Sequence, residues 1–419
     1  MRFSVFSLLA APALVTSAAA GKSHMPSPPN LSPSPKCPGH FQQPQPGNYR
    51  QGRVCTVTPS DKDAGPSILA AAHSCNNGGT VYFPVGHNYT IASALDLTFL
   101  KDIDFAILGT IYFSNDITIW PSQVFQYPFQ DASFFWRFGG ENVRIYGNGK
   151  GVIDGLGQAY WTAMVTDPAV LRPILFGTDG LHRSSISGLT MRNPPNWFNF
   201  ITNSSHILIS DMNLQVTSLN ASAPAKNTDG FDTYRSSNIV VQDSTVVNTD
   251  DCVSFKPNTT DMVVQNLHCT GCHGISVGSL GQYEGEIDIV ENIYVYNVDM
   301  TSCGDSARIK VWPGAPAGSA SSSGGGTGLV RNITYNGLSV HSNDEYPSSV
   351  IITDVVFEDF SGVLSTKYQP VAGSLVCSDT TVCSNIAAHN IAVTEPSGAS
   401  PEFTCTNIDT SELDITCVA

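Results

Sequence analysis

The chain has 419 residues, of which only 13% are charged, and its formal net charge at pH 7 is −15. That length can bury a large core in one domain or two. The negative balance excludes a nucleic-acid-binding protein, because no basic field is present to release counterions from phosphates. On such a surface only local cations can hold an anionic ligand.

Residues 1–20 predict a secretory leader. Arg2 precedes an apolar run that ends in small residues, "MRFSVFSLLAAPALVTSAAAG". The run is too short for a membrane anchor, and no later run is long enough to span a bilayer. We therefore expect a secreted, extracellular protein with no membrane partner. The Pro-rich residues 21–50 are expected to be an extended lead-in outside the core.

Sequons and cysteines agree with secretion. Eleven cysteines would pair in an oxidising compartment, and the odd number leaves at least one free or paired between chains. Six Asn-X-Ser/Thr sequons suit surface glycans, and we predict glycosylation at the last five. The sequons are Asn30, Asn88, Asn203, Asn220, Asn258 and Asn332.

Residues 51–419 are predicted to form a single domain that begins with one short helix. That helix is expected over 63–75, because Pro66 lies near its start and Ile68, Leu69 and Ala72 share a face. Beyond it, Gly, Ser, Thr, Asn and Val are abundant and long amphipathic helix patterns are scarce. This composition favours an all-β protein.

A strand motif recurs from about residue 140. It places a polar or Asn position first, then alternating β-branched residues, then Asp or Asn. From Ser205 onward neighbouring starts lie 32, 23, 31, 40, 17 and 36 residues apart. Repeats of this size indicate the coils of a solenoid, and we predict a right-handed parallel β-helix. A β-sandwich or propeller is the alternative, but its strands would follow at closer, hairpin-like spacing. The starts are Glu141, Ser205, Ser237, Thr260, Glu291, Arg331, Ser348 and Ser384.

Four polar clusters occupy similar phases of successive coils: "NTDGFD" (227–232), "NTDDC" (248–252), "GCHGISVG" (271–278) and "ARIKVWPG" (307–314). Equal phase in a solenoid means stacking at ~4.8 Å per rung, so we expect one groove to hold polar side chains from all four. Adjacent Asp250 and Asp251 can serve one site only if the backbone turns or bulges there. Arg308 and Lys310, two residues apart on a strand, face the same way and suit a carboxylate ligand.

These four clusters, in this order, resemble the active-site signatures of glycoside hydrolase family 28, the polygalacturonases. The resemblance covers nearly the whole chain after the leader. The strings "NTDGFDTYRSSNIVVQDSTVVNTDDCVSFKP" and "HGISVGSLGQY" are more similar to exo-acting fungal members than to endo-acting ones. The resemblance implies an inverting exo-polygalacturonase that releases galacturonic acid from α-1,4-linked polygalacturonate of pectin. It implies no cofactor and no metal, and we expect a monomer.

The resemblance also implies roles for the polar residues. Inverting hydrolysis needs an acid for the leaving oxygen and a base that activates water. Asp250 would be the general acid, Asp229 and Asp251 would position and deprotonate water, and His273 would tune the acid. Crowded carboxylates do not all ionise easily, so one proton stays available. The Arg–Lys pair would bind the galacturonate carboxylate, and Asp232 is expected to have a structural hydrogen-bonding role.

Aromatic and cysteine roles are less specific. Trp197, Phe198 and Trp312 suit either sugar stacking or the core. One-rung spacing makes a Cys252–Cys269 bridge plausible. The resemblance suggests Cys377–Cys383 and Cys405–Cys417, and Cys55–Cys75 is a weaker pairing; Cys37, Cys272 and Cys303 stay unassigned.

One segment departs from the family pattern. Family members carry a substrate-subsite tyrosine on a later rung. In this chain that rung falls between Arg331 and Ser348, where the spacing between motif starts is shortest. Tyr335 and Tyr346 flank that stretch and neither matches. The short spacing predicts a truncated rung or an interrupted register. Three alternatives therefore stay open: a rhamnogalacturonan or xylogalacturonan hydrolase, a calcium-dependent pectate lyase, and an inactive oligogalacturonate-binding β-helix.

Overall fold

The computed structural model describes residues 50, 52–314, 320–336, 349–364 and 369–418. The predicted leader, nearly all of the Pro-rich lead-in, Asn30, Cys37 and Tyr346 lie outside the described residues. The strands are β1 Val54–Thr56, β2 Thr80–Phe83, β3 Asn88–Ile91, β4 Leu95–Ile107, β5 Thr110–Phe113, β6 Phe125–Gln126, β7 Ser133–Phe134, β8 Trp136–Tyr146, β9 Val152–Asp154, β10 Phe176–Ser187, β11 Thr190–Arg192, β12 Asn199–Thr202, β13 Ser205–Ser210, β14 Asn213–Gln215, β15 Phe231–Tyr234, β16 Ser237–Val247, β17 Val253–Phe255, β18 Thr259–Thr270, β19 Ile275–Leu280, β20 Ile287–Thr301, β21 Ala307–Val311, β22 Thr327–Asn336, β23 Ser349–Glu358, β24 Ser361–Val363, β25 Val371–Val376, β26 Cys383–His389, β27 Ala392–Thr394, β28 Glu402–Thr406 and β29 Cys417–Val418.

The strands stack into three parallel faces. The first, called the site face, runs from the leading parts of β4, β8 and β10 through β12, β15, β17, β19 and β21. The second contains β13 and the leading parts of β16, β18 and β20, and continues through β22, β23 and β26. The third contains β3, β5, β9, β11 and β14, with the ends of β16 and β18.

The parallel β-helix prediction is confirmed. Four of the predicted motif starts are direct cross-strand partners: Ser205 pairs with Ser237, Ser237 with Thr260, and Thr260 with Glu291. Among the described strands only the short β6–β7 pair is antiparallel. A sandwich or an up-and-down propeller would be built from antiparallel neighbours, so both alternatives are wrong.

Left-handed residues mark the corners between faces. In one coil Asn292 and Asn297, five residues apart, have φ angles of 59° and 52°. Asn and Asp tolerate this region better than other side chains. The corner residues also stack: the Asn292 amide donates to Asp261 at 2.9 Å, and Asn332 donates to Asn292 at 2.8 Å. The polar positions of the repeat are therefore corner positions.

The predicted interruption of the register is wrong for the second face, while residues 337–348, where a truncated rung was predicted, lie outside the described residues. Arg331 pairs with Thr353, which in turn pairs with Ser384, so the motif of that coil begins at Thr353 rather than Ser348. Asp354 holds the left-handed corner with a φ of 56°. The true offset between β22 and β23 is 22 residues, close to the offset of 23 residues between β16 and β18. The register between β22 and β23 is thus continuous.

The site face, in contrast, ends at β21 in the described ranges. No described strand pairs with the far edge of β21, and β25, β28 and β29 form a sheet of their own. Tyr335 is fully buried, and its ring lies 5.7 Å from that of Phe357. It is therefore a core residue and does not take the place of the family tyrosine.

Buried apolar ladders fill the coil. One ladder consists of cross-strand partners on the second face: Ile207, Ile239, Met262, Ile293, Ile333, Val355 and Ile386. All of them are at most 7% exposed. Each strand thus gains its apolar neighbour from the coils on either side.

Two helices accompany the strands. Helix α1, Gly65–Cys75, confirms the predicted helix and buries Ile68 and Ala72 against the first coil. Helix α2, Gln158–Met164, was not predicted; it buries Tyr160 and Trp161. No helix in the described ranges is long and apolar enough to cross a membrane.

Five disulfides link the described cysteines. The four predicted pairs are present, and Cys272–Cys303 is a fifth that the sequence left unassigned. Among the described sequons, Asn88, Asn203 and Asn220 are exposed. The amides of Asn203 and Asn332 already donate to neighbouring side chains. Glycosylation at any of these positions stays a prediction.

Truncating the apolar ladder tests its contribution to stability. We expect Ile293→Ala to lower the free energy of unfolding by roughly 2–5 kcal/mol, because the site is fully buried between two coils. Ile287 lies on the same strand but is 63% exposed, so Ile287→Ala should change the free energy of unfolding by less than about 0.5 kcal/mol. Chemical denaturation measures both. Equal losses in the two variants would contradict the ladder.

Candidate active site

The site face presents alternating columns of side chains. Partners Phe231, Val253, Ile275 and Ala307 are buried in the core. The next residue along each of these strands points the other way. That outer column consists of Asp232, Ser254, Ser276 and Arg308. The in-register stack therefore brings residues from four sequence segments into one polar row.

The Asp250–Asp251 pair lies in a turn that the Asn248 side chain holds. Its buried amide donates to the carbonyl oxygens of Thr228, Asp250 and Asp251 at 3.0, 2.8 and 2.9 Å. The turn explains how adjacent carboxylates reach one site. Gly230, in the preceding coil, permits this turn to approach closely, since a Cβ at residue 230 would lie 2.4 Å from the Cys252 carbonyl oxygen.

Asp250 has three hydrogen-bond neighbours. Its Oδ1 lies 3.0 Å from His273 Nδ1 and accepts the Asp251 backbone N–H at 2.9 Å. Its Oδ2 accepts a hydrogen bond from the side-chain amide nitrogen of Asn227 at 3.2 Å. Arg172 donates in turn to the side-chain Oδ1 of Asn227 at 2.9 Å. Two partners that the sequence did not indicate, Asn227 and Arg172, thus hold the carboxylate.

Asp250 and His273 shift each other's proton affinity in opposite directions. Burial is the largest influence on the pKa of Asp250 and would raise it. The hydrogen bond and charge of His273, the Asp251 backbone N–H and Lys256 together outweigh burial and hold that pKa below its usual range. The same hydrogen bond raises the pKa of His273, against the opposing effect of burial. In the free protein the shared proton is therefore held mainly by the imidazole.

Asp251 is only 2% exposed and is held by two side chains. Its Oδ1 accepts from Ser276 Oγ at 2.7 Å and from the Arg308 guanidinium at 2.8 Å. Arg308 also donates to Ser276 Oγ at 3.2 Å and to Asp305 at 3.4 Å. The predicted proximity of Arg308 to the carboxylates is present, but part of its fork is already used by Asp251.

Asp229 and Asp232 share a buried cation. Lys256 Nζ lies 3.3 Å from Asp232 Oδ2 and 3.8 Å from Asp229 Oδ2. Burial raises the pKa of Asp229 well above its usual range, and the neighbouring Asp232 raises it further. Burial also raises the pKa of Asp232 to about 7, although Lys256 opposes that effect. Asp232 is thus the nearer ion-pair partner of Lys256, and a hydrogen bond from the ammonium accompanies the charge contact.

Lys310 and the aromatic residues complete the neighbourhood. Burial, then the adjacent Arg308 charge, lowers the pKa of Lys310. Trp197 is 7% exposed with Lys256 Nζ 4.6 Å from its ring centroid, so it lines the site wall. Phe198 belongs to the core, and Trp312 is half-buried.

Three potential metal ligands lie close together at the carboxylate turn. Donor atoms of Asp250, Asp251 and His273 lie within 4.8 Å of one another. Asp251 Oδ1 already accepts hydrogen bonds from Arg308 and Ser276, so a metal ion would compete with a guanidinium for that oxygen. The donor set is therefore served by side-chain cations.

Comparison with known proteins decides the family. The model of glycosyl hydrolases family 28 matches residues 75–417. The chain belongs to glycosyl hydrolase family 28. Family 28 membership makes it a glycoside hydrolase and confirms the resemblance that the four clusters indicated.

Relatives in family 28 span nearly the whole chain. It is 58% identical to exopolygalacturonase A of Aspergillus niger, over 94% of this chain and 95% of the relative. It is 45% identical to a probable exopolygalacturonase X of Aspergillus fumigatus, over 91% and 92%. The crystal structure of endo-xylogalacturonan hydrolase from Aspergillus tubingensis matches with a TM-score of 0.78 at 34% identity, over 88% and 99%. A polygalacturonase from Erwinia carotovora shares the fold, with a TM-score of 0.60 at 18% identity over 86% and 96%.

Removing the Asp250 charge tests the shared proton. We expect Asp250→Asn to lower the pKa of His273 by about one unit, because the hydrogen-bonded carboxylate stabilises the imidazolium. NMR titration of the imidazole C–H resonances measures this, with His273→Gln to assign the signal. A His273 titration that does not change in the Asn variant would contradict the contact.

Proposed function

We propose that this family 28 enzyme is a secreted, inverting exo-polygalacturonase that releases galacturonic acid from the ends of α-1,4-linked polygalacturonate. The observation that carries the proposal is the cluster of carboxylates beside cations on the outer side of the site face. Acids and a base serve glycosidic cleavage, and the cations serve an anionic sugar. The relatives named as exopolygalacturonases support exo action.

Asp250 is proposed as the general acid. Its proton, shared with His273 Nδ1, passes to the glycosidic oxygen as the bond from that oxygen to the anomeric carbon breaks. A water molecule attacks the anomeric carbon from the opposite face of the ring and gives its proton to Asp229 or Asp251. The products are a galacturonic acid of inverted configuration and a shortened chain. Proton exchange with solvent then returns both groups to their starting states.

Arg308 and Lys310 are proposed to bind the substrate carboxylate. Lys310 lies beside Arg308 and carries no ion pair among the described residues, so its ammonium is available to a ligand. Arg308 donates through its three nitrogens to Ser276, Asp305 and Asp251, which leaves two of its five N–H groups for a ligand. These charges supply the attraction that a chain of net charge −15 lacks elsewhere.

Secretion is part of the proposal. The predicted leader and the five disulfides both suit an oxidising, extracellular compartment. A pectic polysaccharide outside the cell is the corresponding substrate, and a monomer is proposed.

Product analysis tests the function. Purified protein is incubated with polygalacturonate, and the products are separated over time, with and without EDTA. We expect galacturonic acid alone from the earliest points, at a rate that EDTA does not change. Asp250→Asn should release none, since a positioned acid contributes roughly 10²–10⁴-fold.

Other product patterns would contradict the proposal. Mixed oligomers at early times would indicate endo action, and release only from xylogalacturonan would indicate the activity named for the Aspergillus tubingensis enzyme. An unsaturated, ultraviolet-absorbing product with calcium dependence would indicate a lyase. Binding without turnover would indicate an inactive β-helix. Residual activity of Asp250→Asn within about tenfold of wild type would remove Asp250 as the acid.

The two cations should respond differently to truncation. Lys310→Ala is expected to raise KM for polygalacturonate by about tenfold or more with little change in kcat, because a charge-assisted contact is lost. Arg308→Ala should also lower kcat, by about tenfold or more, because it strips Asp251 of its buried partner. Steady-state kinetics separate the two, with exposed Lys101→Ala as the control. An unchanged KM in both variants would place the substrate carboxylate elsewhere.

A further inference from the structure

Lys256 is a buried cation that the proposed chemistry does not yet use. It follows strand β17 directly and is 4% exposed. Among the described residues it is the only lysine or arginine that is buried. Its Nζ lies near four groups: Asp232 at 3.3 Å, Asp229 at 3.8 Å, Ser254 Oγ at 3.2 Å and the Trp197 ring at 4.6 Å. A charge is tolerated so far from water only when it is paired.

One cation faces two carboxyl groups. Asp229 Oδ1 and Asp232 Oδ1 are buried and accept no hydrogen bond from any described residue. Two ionised carboxylates beside a single ammonium would leave one negative charge uncompensated in a site of low polarity. A single ionised carboxylate with one carboxylic acid balances the ammonium.

The two carboxyl groups have different access to the groove. The Asp232 side chain is fully buried on β15, and Lys256 lies closer to it. The Asp229 side chain retains 6% exposure and lies in the loop that precedes the strand. Asp232 is therefore the nearer partner of the ammonium, whereas Asp229 is the carboxyl group that retains exposure to solvent.

We propose that Lys256 is a positioning residue whose charge keeps the Asp229–Asp232 pair singly ionised at acidic pH, so that Asp229 can act as the base. The inference rests on the proposed function, since it assigns Asp229 the proton from water. It adds a residue outside the four polar clusters to the machinery, in the string "DDCVSFKP".

The other charges around the pair do not replace Lys256. Burial lowers the pKa of Lys256, yet the carboxylates around it outweigh burial and raise that pKa, so the ammonium persists. Arg308 is committed to Asp251, and Arg172 to backbone oxygens and Asn227. The titratable and charged groups that surround the pair are Arg172, Asp250, Asp251, Lys256, His273, Arg308 and Lys310.

The test compares four proteins: wild type, Lys256→Met, Asp232→Asn, and the double variant. Without the ammonium, the pKa of Asp229 rises, so the acidic limb of the kcat/KM profile on polygalacturonate should move up by about one pH unit or more. Asp232→Asn removes the competing carboxyl group and should move the limb down. The double variant lacks both the ammonium and the neighbouring carboxyl group, whose charge raises the pKa of Asp229, so its limb should lie below that of Lys256→Met. Exposed Lys101→Met controls for loss of a distant charge.

Thermal unfolding provides a readout that does not need turnover. In Lys256→Met the buried carboxyl groups have pKa values above those of the unfolded chain, so stability falls as pH rises through them. We expect the loss of Tm relative to wild type to deepen by about 3 °C or more between pH 4 and pH 7. The double variant, which keeps only one of the two carboxyl groups, should show a smaller additional loss.

The outcomes separate this inference from the proposed function. A wild type that releases no product contradicts the proposed function, and the unfolding series still tests the charge balance. If Lys256→Met lowers kcat equally at every pH and the limb shifts by less than about 0.3 unit, Lys256 is a packing residue only and the inference is wrong. If Lys256→Met fails to fold, Asp232→Asn decides the question. An acidic limb of its kcat/KM profile that does not shift from the wild-type position would overturn the inference.

Discussion

The residue-for-residue register of parallel strands is the constraint on which the site depends. Each coil must place an apolar residue over the apolar residue below, and a one-residue slip would turn the whole column outward. Asn and Asp corners hold the register because their left-handed backbone and stacked amides repeat from coil to coil. With the register fixed, Asp232, Ser254, Ser276 and Arg308 have no freedom to separate.

Charge within the site follows from this geometry. Stacking at ~4.8 Å forces carboxylates from neighbouring coils together, and their mutual repulsion must be compensated locally. Three different compensations are used: an imidazole for Asp250, a guanidinium for Asp251, and an ammonium for Asp229 and Asp232. Because each partner differs in strength and burial, carboxyl groups of identical chemistry acquire different proton affinities. That difference permits acid and base chemistry side by side.

The sequence predicted the fold well because the corners leave a direct signature. Motif starts such as Ser237 and Thr260 proved to be cross-strand partners, since the polar corner residue is fixed by backbone conformation. The same signature failed at Ser348, where "SSVII" imitates the motif five residues before its start at Thr353, which only pairing reveals. The acidic residues and the Arg–Lys pair were found from motifs. Lys256, Asn248 and the Cys272–Cys303 bridge were not, because an isolated lysine, asparagine or cysteine gives no sign of burial or partner until three-dimensional neighbours are known.

The unequal length of the coils has a consequence for how such a chain changes. Paired positions are separated by 22 residues between β22 and β23 but by 40 residues between β20 and β22, yet both pairs keep a continuous register. Extra residues are therefore accommodated in excursions between faces, not within strands. Insertions and deletions in these excursions leave the ladder pairing intact, so substrate range can diversify by loop exchange while the catalytic row is inherited unchanged.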